Sequence, residues 1–238
     1  MNRRSPGGFR RSRGLGGGGS SPTLQQILGA NMVELWDSRQ GVTSSGGLVS
    51  SWIGRVAGSD LTAAGAARPT LGTDGAFFGG QPVIKSSAVG GNQLDALTTT
   101  LFAAGSSPYV AMWLRFPAMP GVFVKIAQFT DSPVTQNAPG LYRDVTDMTA
   151  WCSAGGPATI TNTSTNPLFL EGYYAVANSA IAVDGGTPQL GARGALATNV
   201  TRVIVAEGYF ALIVACAAVP TASQRAALQA YARSNFPP

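Results

Sequence analysis

Residues 109–129 read YVAMWLRFPAMPGVFVKIAQF. Two apolar runs, 109–116 and 122–129, stand on either side of a break rich in Pro and Gly. Val110, Met112, Leu114 and Phe116 recur with the period of two that places side chains on one face of a strand. Outward from this stretch the same signal repeats: short runs of β-forming residues punctuated by Gly, Pro, Asn and Asp. Strands are predicted at 33–36, 48–53, 82–85, 109–116, 122–129, 141–143, 149–152, 158–161, 168–176, 180–183, 201–205 and 209–215. Their spacing near ten residues, with no helix between successive strands, predicts an all-β, antiparallel jelly-roll β-sandwich.

Two helices frame the strands. Ser21-Pro22 resembles a helix start, with Leu24, Ile27 and Leu28 as a short apolar face ending near Gly29. At the other end Thr221 and Gln224 form a capping-box pattern, which predicts a helix over 221–235. Ala227, Leu228 and Tyr231 supply its docking face, Arg225 and Arg233 point to solvent, and Pro237-Pro238 ends it.

The chain has 238 residues, 45% of them hydrophobic and only 11% charged. An average soluble domain carries about 25% charged residues. The size suits one sandwich domain with an appendage. The abundant small neutral residues fit a surface that packs against neighbours, or a GC-rich genome. The charge of +5 is localised: Arg3, Arg4, Arg10, Arg11 and Arg13 lie in the first twenty residues, which hold no acid. The remaining eleven bases meet eleven acids, so a neutral body, 21–238, carries a basic Arg/Gly-rich arm, 1–20. Low complexity predicts that the arm is flexible by itself.

Chemistry is constrained by what the chain lacks. Without histidine, Ser-His-Asp and Cys-His catalysis and most zinc sites are excluded. Glu34, Asp37, Glu171 and Glu207 are isolated, which disfavours the paired carboxylates of glycosidases. No enzyme activity and no cofactor are expected. Asp131, Asp144 and Asp147 fall in loops of one region and form a weak calcium candidate, against the alternative of solvated loop acids. Trp36, Trp52, Trp113 and Trp151 are expected in the core rather than as sugar-stacking platforms. Cys152 and Cys216 sit in apolar runs as buried thiols, or as one bridge if their strands adjoin. No secretory signal and no run of about 18 apolar residues is present, so the chain is expected to span no membrane and to act where it is made or leave the cell by lysis or a specialised route.

Three segments resemble the concanavalin A-like lectin/laminin-G superfamily, in the branch found in bacterial and phage structural proteins. They are Leu35-Trp36-Asp37 with Gly47 to Trp52; Ala182-Val183-Asp184-Gly185; and Val205-Ala206-Glu207 with the closing strand and helix to Tyr231. The order holds over residues 32–236. Ile53-Gly54-Arg55 and Lys85-Ser86-Ser87 depart from the acidic residues usual at those positions. The resemblance implies a jelly roll with one C-terminal helix; glucanases of this superfamily carry carboxylates at i, i+2 and i+4 on one strand, and no such trio occurs here.

Arg3, Arg4, Phe9, Arg10, Arg11 and Arg13 are the candidate partner-binding residues, since arginine forks suit phosphates and acidic protein surfaces. The resulting expectation is a virion component, a capsid decoration or head or tail accessory protein, made in the host cytoplasm. Its arm would contact other assembly proteins, with self-association as a further contact. A carbohydrate-binding module or receptor-binding adhesin facing a surface glycan is the alternative. A jelly-roll capsid shell protein whose arm meets nucleic acid is a third reading.

Overall fold

The computed structural model describes residues 22–87, 93–118, 121–130, 140–144, 146–151, 157–174, 179–191 and 199–238. The arm residues, Asp131 and Cys152 lie outside the described residues, as does the side chain of Trp151. The strands are β1 (Met32–Asp37), β2 (Val42–Ser45), β3 (Leu48–Trp52), β4 (Leu61–Thr62), β5 (Thr70–Thr73), β6 (Pro82–Ser86), β7 (Leu94–Phe102), β8 (Tyr109–Arg115) and β9 (Val124–Thr130). They continue with β10 (Gly140–Arg143), β11 (Asp147–Trp151), β12 (Ala158–Thr161), β13 (Leu168–Tyr174), β14 (Ser179–Val183), β15 (Gln189–Leu190), β16 (Val200–Val205) and β17 (Gly208–Cys216). Helices α1 (Leu24–Leu28) and α2 (Ala222–Asn235) flank them.

Every pairing between these strands is antiparallel, and the pairings form two layers. In the first, β1 and β6 share one edge of β17, followed by β8, β13, β14 and β15. In the second the order is β2, β3, β4, β7, β16, β9, β10, β11, β12. Strand β5 pairs with both β3 and β6 and joins the layers. The predicted all-β sandwich with a C-terminal helix is the observed architecture.

The first layer is buried on both faces. Trp36, Val110, Met112, Leu114, Leu170 and Ile213 point into the core between the layers. Tyr109, Ala111, Trp113, Phe169, Leu212 and Val214 point the other way, into a second core beneath the helices. Double burial explains why 109–116 and 209–215 read as nearly continuous apolar runs, not as clean alternation. The odd positions Tyr109, Ala111 and Trp113 are therefore as buried as the even ones.

The strands absent from the sequence reading, β2, β4, β5, β7 and β15, are mostly short or polar. Their place comes from partners: Val42 faces Trp52 and Thr62 faces both Ser51 and Asp95. Helix α1 begins two residues later than the Ser21-Pro22 pattern suggested. Thr23 is the cap, donating from its backbone N–H to Gln26 Oε1 at 2.8 Å and accepting from Gln26 N–H at 3.3 Å. Helix α2 begins as predicted, with Thr221 and Gln224 forming the reciprocal capping box.

Candidate functional site

Several polar groups of the body gather around α2. Leu228 and Ala232 are buried beneath it, and Ala227 and Tyr231 pack against the same core. Polar connections to the strands help fix its position. Asp37, at the end of β1, takes both Nε and Nη2 of Arg39, at 3.0 and 2.6 Å. The Arg39 guanidinium also donates to Asn235 Oδ1 at 2.7 Å and to Tyr231 Oη at 3.3 Å, and lies 4.5 Å from the Phe236 ring centre. The bond to Asp37 is the main reason the Arg39 pKa is raised, against the opposing effect of burial. Arg233 in the last turn donates to Asp184 at 3.2 Å. Trp113 donates from Nε1 to the Phe236 carbonyl at 3.1 Å.

Arg225 departs from the solvent-facing position expected of it. Its side chain is three-quarters buried, with the guanidinium 4.9 Å from the Tyr173 ring centre and 3.8 Å from Glu171. Glu171 is 2% exposed on β13. Its Oε1 accepts from Tyr109 Oη at 2.8 Å and from Tyr173 Oη at 3.1 Å. Glu171, Arg225 and Gln229 line a cavity of about 170 Å³, closed on its far side by Gly185 and Gly186. Asp184 and Gly185 both have positive φ, and Gly186 N–H bonds back to the Val183 carbonyl, as in a type I′ turn. A Cβ on Gly185 would stand 2.9 Å from Gln229 Oε1, so glycine serves both the turn and the close approach of α2.

Burial raises the Glu171 pKa, while the Tyr109 hydrogen bond and the Arg225 charge pull it down. Burial also lifts Tyr109 well above the usual phenol range. A raised carboxyl binds its proton more tightly in the folded chain than in the unfolded one. Its contribution to stability is complete below the unfolded value and is lost as pH rises through the folded value. Glu171→Gln stays neutral and lacks that loss. Its stability relative to the parent chain is therefore expected to rise with pH above 4.5. Urea denaturation across that range checks this; a constant difference would contradict the assignment.

Of the other sequence candidates, those among the described residues serve structure. Glu34 is fully buried and accepts backbone N–H groups from Leu35, Val56, Ala57 and Ser59 at 2.8–3.2 Å. Trp36, Trp52 and Trp113 are core residues, at most 1% exposed. Asp144 and Asp147 bracket the β10–β11 turn, Asp144 N–H donating to the Asp147 carbonyl, and Asp147 Oδ1 accepts from Thr161 Oγ1 at 2.8 Å. Among the described residues no group of three or more His, Cys, Asp or Glu side chains is placed to hold a metal ion. Cys216 is a free, buried thiol that burial pushes up to about 12, which removes thiolate reactivity at neutral pH. Among the described residues no helix is long and apolar enough to cross a membrane.

The cavity escaped the sequence reading because its walls come from β13, the turn after β14 and α2, with no common spacing. The available signal was Arg225 and Gln229 one turn apart on a helix whose other face is apolar.

No family model matches the chain, and no curated protein matches it. Solved structures do. A Trypanosoma rangeli sialidase in complex with 2,3-difluorosialic acid is similar with a TM-score of 0.61 at 14% identity, over 92% of this chain and 35% of the sialidase. The botulinum neurotoxin serotype C1 binding domain gives a TM-score of 0.61 at 7% identity, over 87% of this chain and 53% of the toxin chain. The serotype D binding domain gives 0.58 at 5% identity, over 88% and 53%. The chain thus spans about a third of the sialidase and about half of the toxin chains. At these identities the likeness is one of fold alone: an all-β, jelly-roll-like sandwich.

Proposed function

We propose that this protein is a non-enzymatic structural component of a phage or phage-like virion, a capsid decoration or head or tail accessory protein anchored by its basic arm. The partition of charge carries this reading. In the body Arg39, Arg115, Arg202, Arg225 and Arg233 are each paired with an acid of the same chain, Asp37, Asp74, Asp95, Glu171 and Asp184. The five arginines of residues 1–20 have no acid in their own segment and supply the whole net charge. Pro22, where the arm joins the body, lies beside Ala227, Tyr231 and Ser234 of α2.

Deleting residues 1–20 tests the reading. The shortened chain is expected to melt as the full chain does and to be lost from purified particles. Normal incorporation would overturn the proposal. Retained incorporation of the full chain with strongly salt-dependent nucleic-acid binding by the arm would favour a capsid shell role instead.

A second reading, a carbohydrate-binding module or adhesin, is favoured by the cavity beneath α2. Among the structures similar in fold, the sialidase holds a sialic acid derivative, 2,3-difluorosialic acid.

A further inference from the structure

We infer that the cavity between α2 and the 184–186 turn is a binding site for a neutral polyhydroxyl ligand, a single sugar ring or a cyclic polyol. The inference deepens the carbohydrate-binding reading by naming a site, and it is independent of the arm.

The first observation is unmet hydrogen bonding at the cavity wall. Arg225 Nε and Gln229 Nε2 are buried, and neither finds a hydrogen-bond partner among the described residues. Both side chains line the cavity. A buried donor without an acceptor is unfavourable by about 1–3 kcal/mol, so an occupant offering acceptors is favoured once either side chain turns its donor toward the cavity.

The second observation is the mixture of charges. Glu171 presents an acceptor on the same wall, and the Arg225 Nη1 to Glu171 Oε1 distance of 3.8 Å is too long for a direct hydrogen bond. A hydroxyl can enter such a gap, donating to the carboxylate and accepting from the guanidinium. A neighbouring hydroxyl on the same ring can accept from Gln229. An anion would be opposed by Glu171 and a cation by Arg225, whereas a neutral group with both donor and acceptor character satisfies all three residues.

Size and rigidity agree. A volume of about 170 Å³ lies below the roughly 300–1,000 Å³ of sites that enclose drug-sized ligands, and suits one small ring. The walls are held in place before any ligand arrives. Tyr109 and Tyr173 fix the Glu171 carboxyl, Tyr173 supports the Arg225 guanidinium, and the Gly185 turn bears on Gln229. Preformed walls reduce the ordering that binding requires.

The test is calorimetric titration of the full chain with methyl glycosides and inositols, with free amino acids as zwitterionic controls. Saturable binding of at least one neutral polyol is expected, weakened about tenfold or more in Gln229→Leu, as expected for loss of a hydrogen bond of about 1.4 kcal/mol. Gln229→Leu is expected to keep the parent melting temperature or exceed it, because it removes an unmet buried donor. Glu171→Gln, which keeps an oxygen acceptor for both tyrosines, checks the carboxylate and should weaken the same ligand. Three results would overturn the inference: no polyol binds, the zwitterions bind instead, or polyols bind Gln229→Leu as tightly as the parent. The last would retain a carbohydrate-binding protein but move its site elsewhere.

Discussion

Trp113→Ala is expected to lower folding stability by about 4 kcal/mol, the middle of the range for emptying a large buried aromatic site. In a domain of this size that is a fall in melting temperature of roughly 10 °C. Trp113 is 1% exposed on the helix-facing side of β8. Its ring meets Phe78 edge-on, with centroids 6.4 Å apart and planes at 86°. Its indole N–H also holds the Phe236 carbonyl just beyond the last turn of α2. The substitution therefore removes packing, an aromatic pair and the tether of the C-terminal helix together. Trp113→Phe keeps most of the packing and should lose clearly less. Leu190→Ala, at a side chain 69% exposed, serves as the control and should change stability by no more than about 0.5 kcal/mol. Denaturant titration of the three variants ranks them. Similar losses for Trp113→Ala and Leu190→Ala would mean that the helical layer is not packed as described.

Glu34→Ala is expected to be comparably damaging, by about 3–5 kcal/mol, through a different mechanism. The Glu34 carboxylate is the hub of the loop after β3. It accepts four backbone N–H groups, three of them from Val56, Ala57 and Ser59. The Ser59 carbonyl in turn accepts from Trp36 Nε1 at 2.9 Å, and Arg55 N–H donates to the Leu35 carbonyl at 3.0 Å. Gly54 leaves room for the hub: a Cβ there would lie 2.6 Å from Glu34 Oε2. Alanine at 34 strips the acceptors from all four donors at once. Glu34→Gln places an amide NH₂ against N–H groups on one side and should fall between alanine and the parent. The local signature is trypsin cleavage at the exposed Arg55, accelerated in both variants in the same order. Unchanged cleavage with lowered global stability would place the effect in the core instead of the loop.

The strands that the sequence announces are those whose own side chains fill a core. Strands β8, β13 and β17 supply both cores and are legible from their apolar runs. Strand β4 contributes Leu61 to the core but is only two residues long, and β5 is held largely by pairing with β6. No pattern within so few residues distinguishes them from loop. Strand β7 carries Asp95 and three threonines among its apolar residues, so its period is obscured until β16 pairs with it. Ser21-Pro22 imitates a helix start, but Thr23 has Gln26 at the position that reciprocates its cap.

The two earlier segments that carry the family resemblance reach the third at α2. Leu35-Trp36-Asp37 acts through Arg39 on Tyr231 and Asn235, and the Asp184 turn acts through Arg233 and Gln229. Their spacing in sequence therefore records how the helix docks. Arg225 was misplaced because its charge suggested solvent, whereas its guanidinium lies over Tyr173 beside a buried carboxylate. The proposed role of the arm rests on its charge: five arginines and no acid within residues 1–20.

The measurement that tests it most directly is photo-crosslinking from a benzoylphenylalanine placed at Phe9, between the arginines of the arm, in intact particles. The account predicts crosslinks to neighbouring protein subunits that disappear when Arg3, Arg4, Arg10, Arg11 and Arg13 are replaced by serine. An arm that crosslinks to no protein, on a chain that sediments as a free monomer, would contradict it.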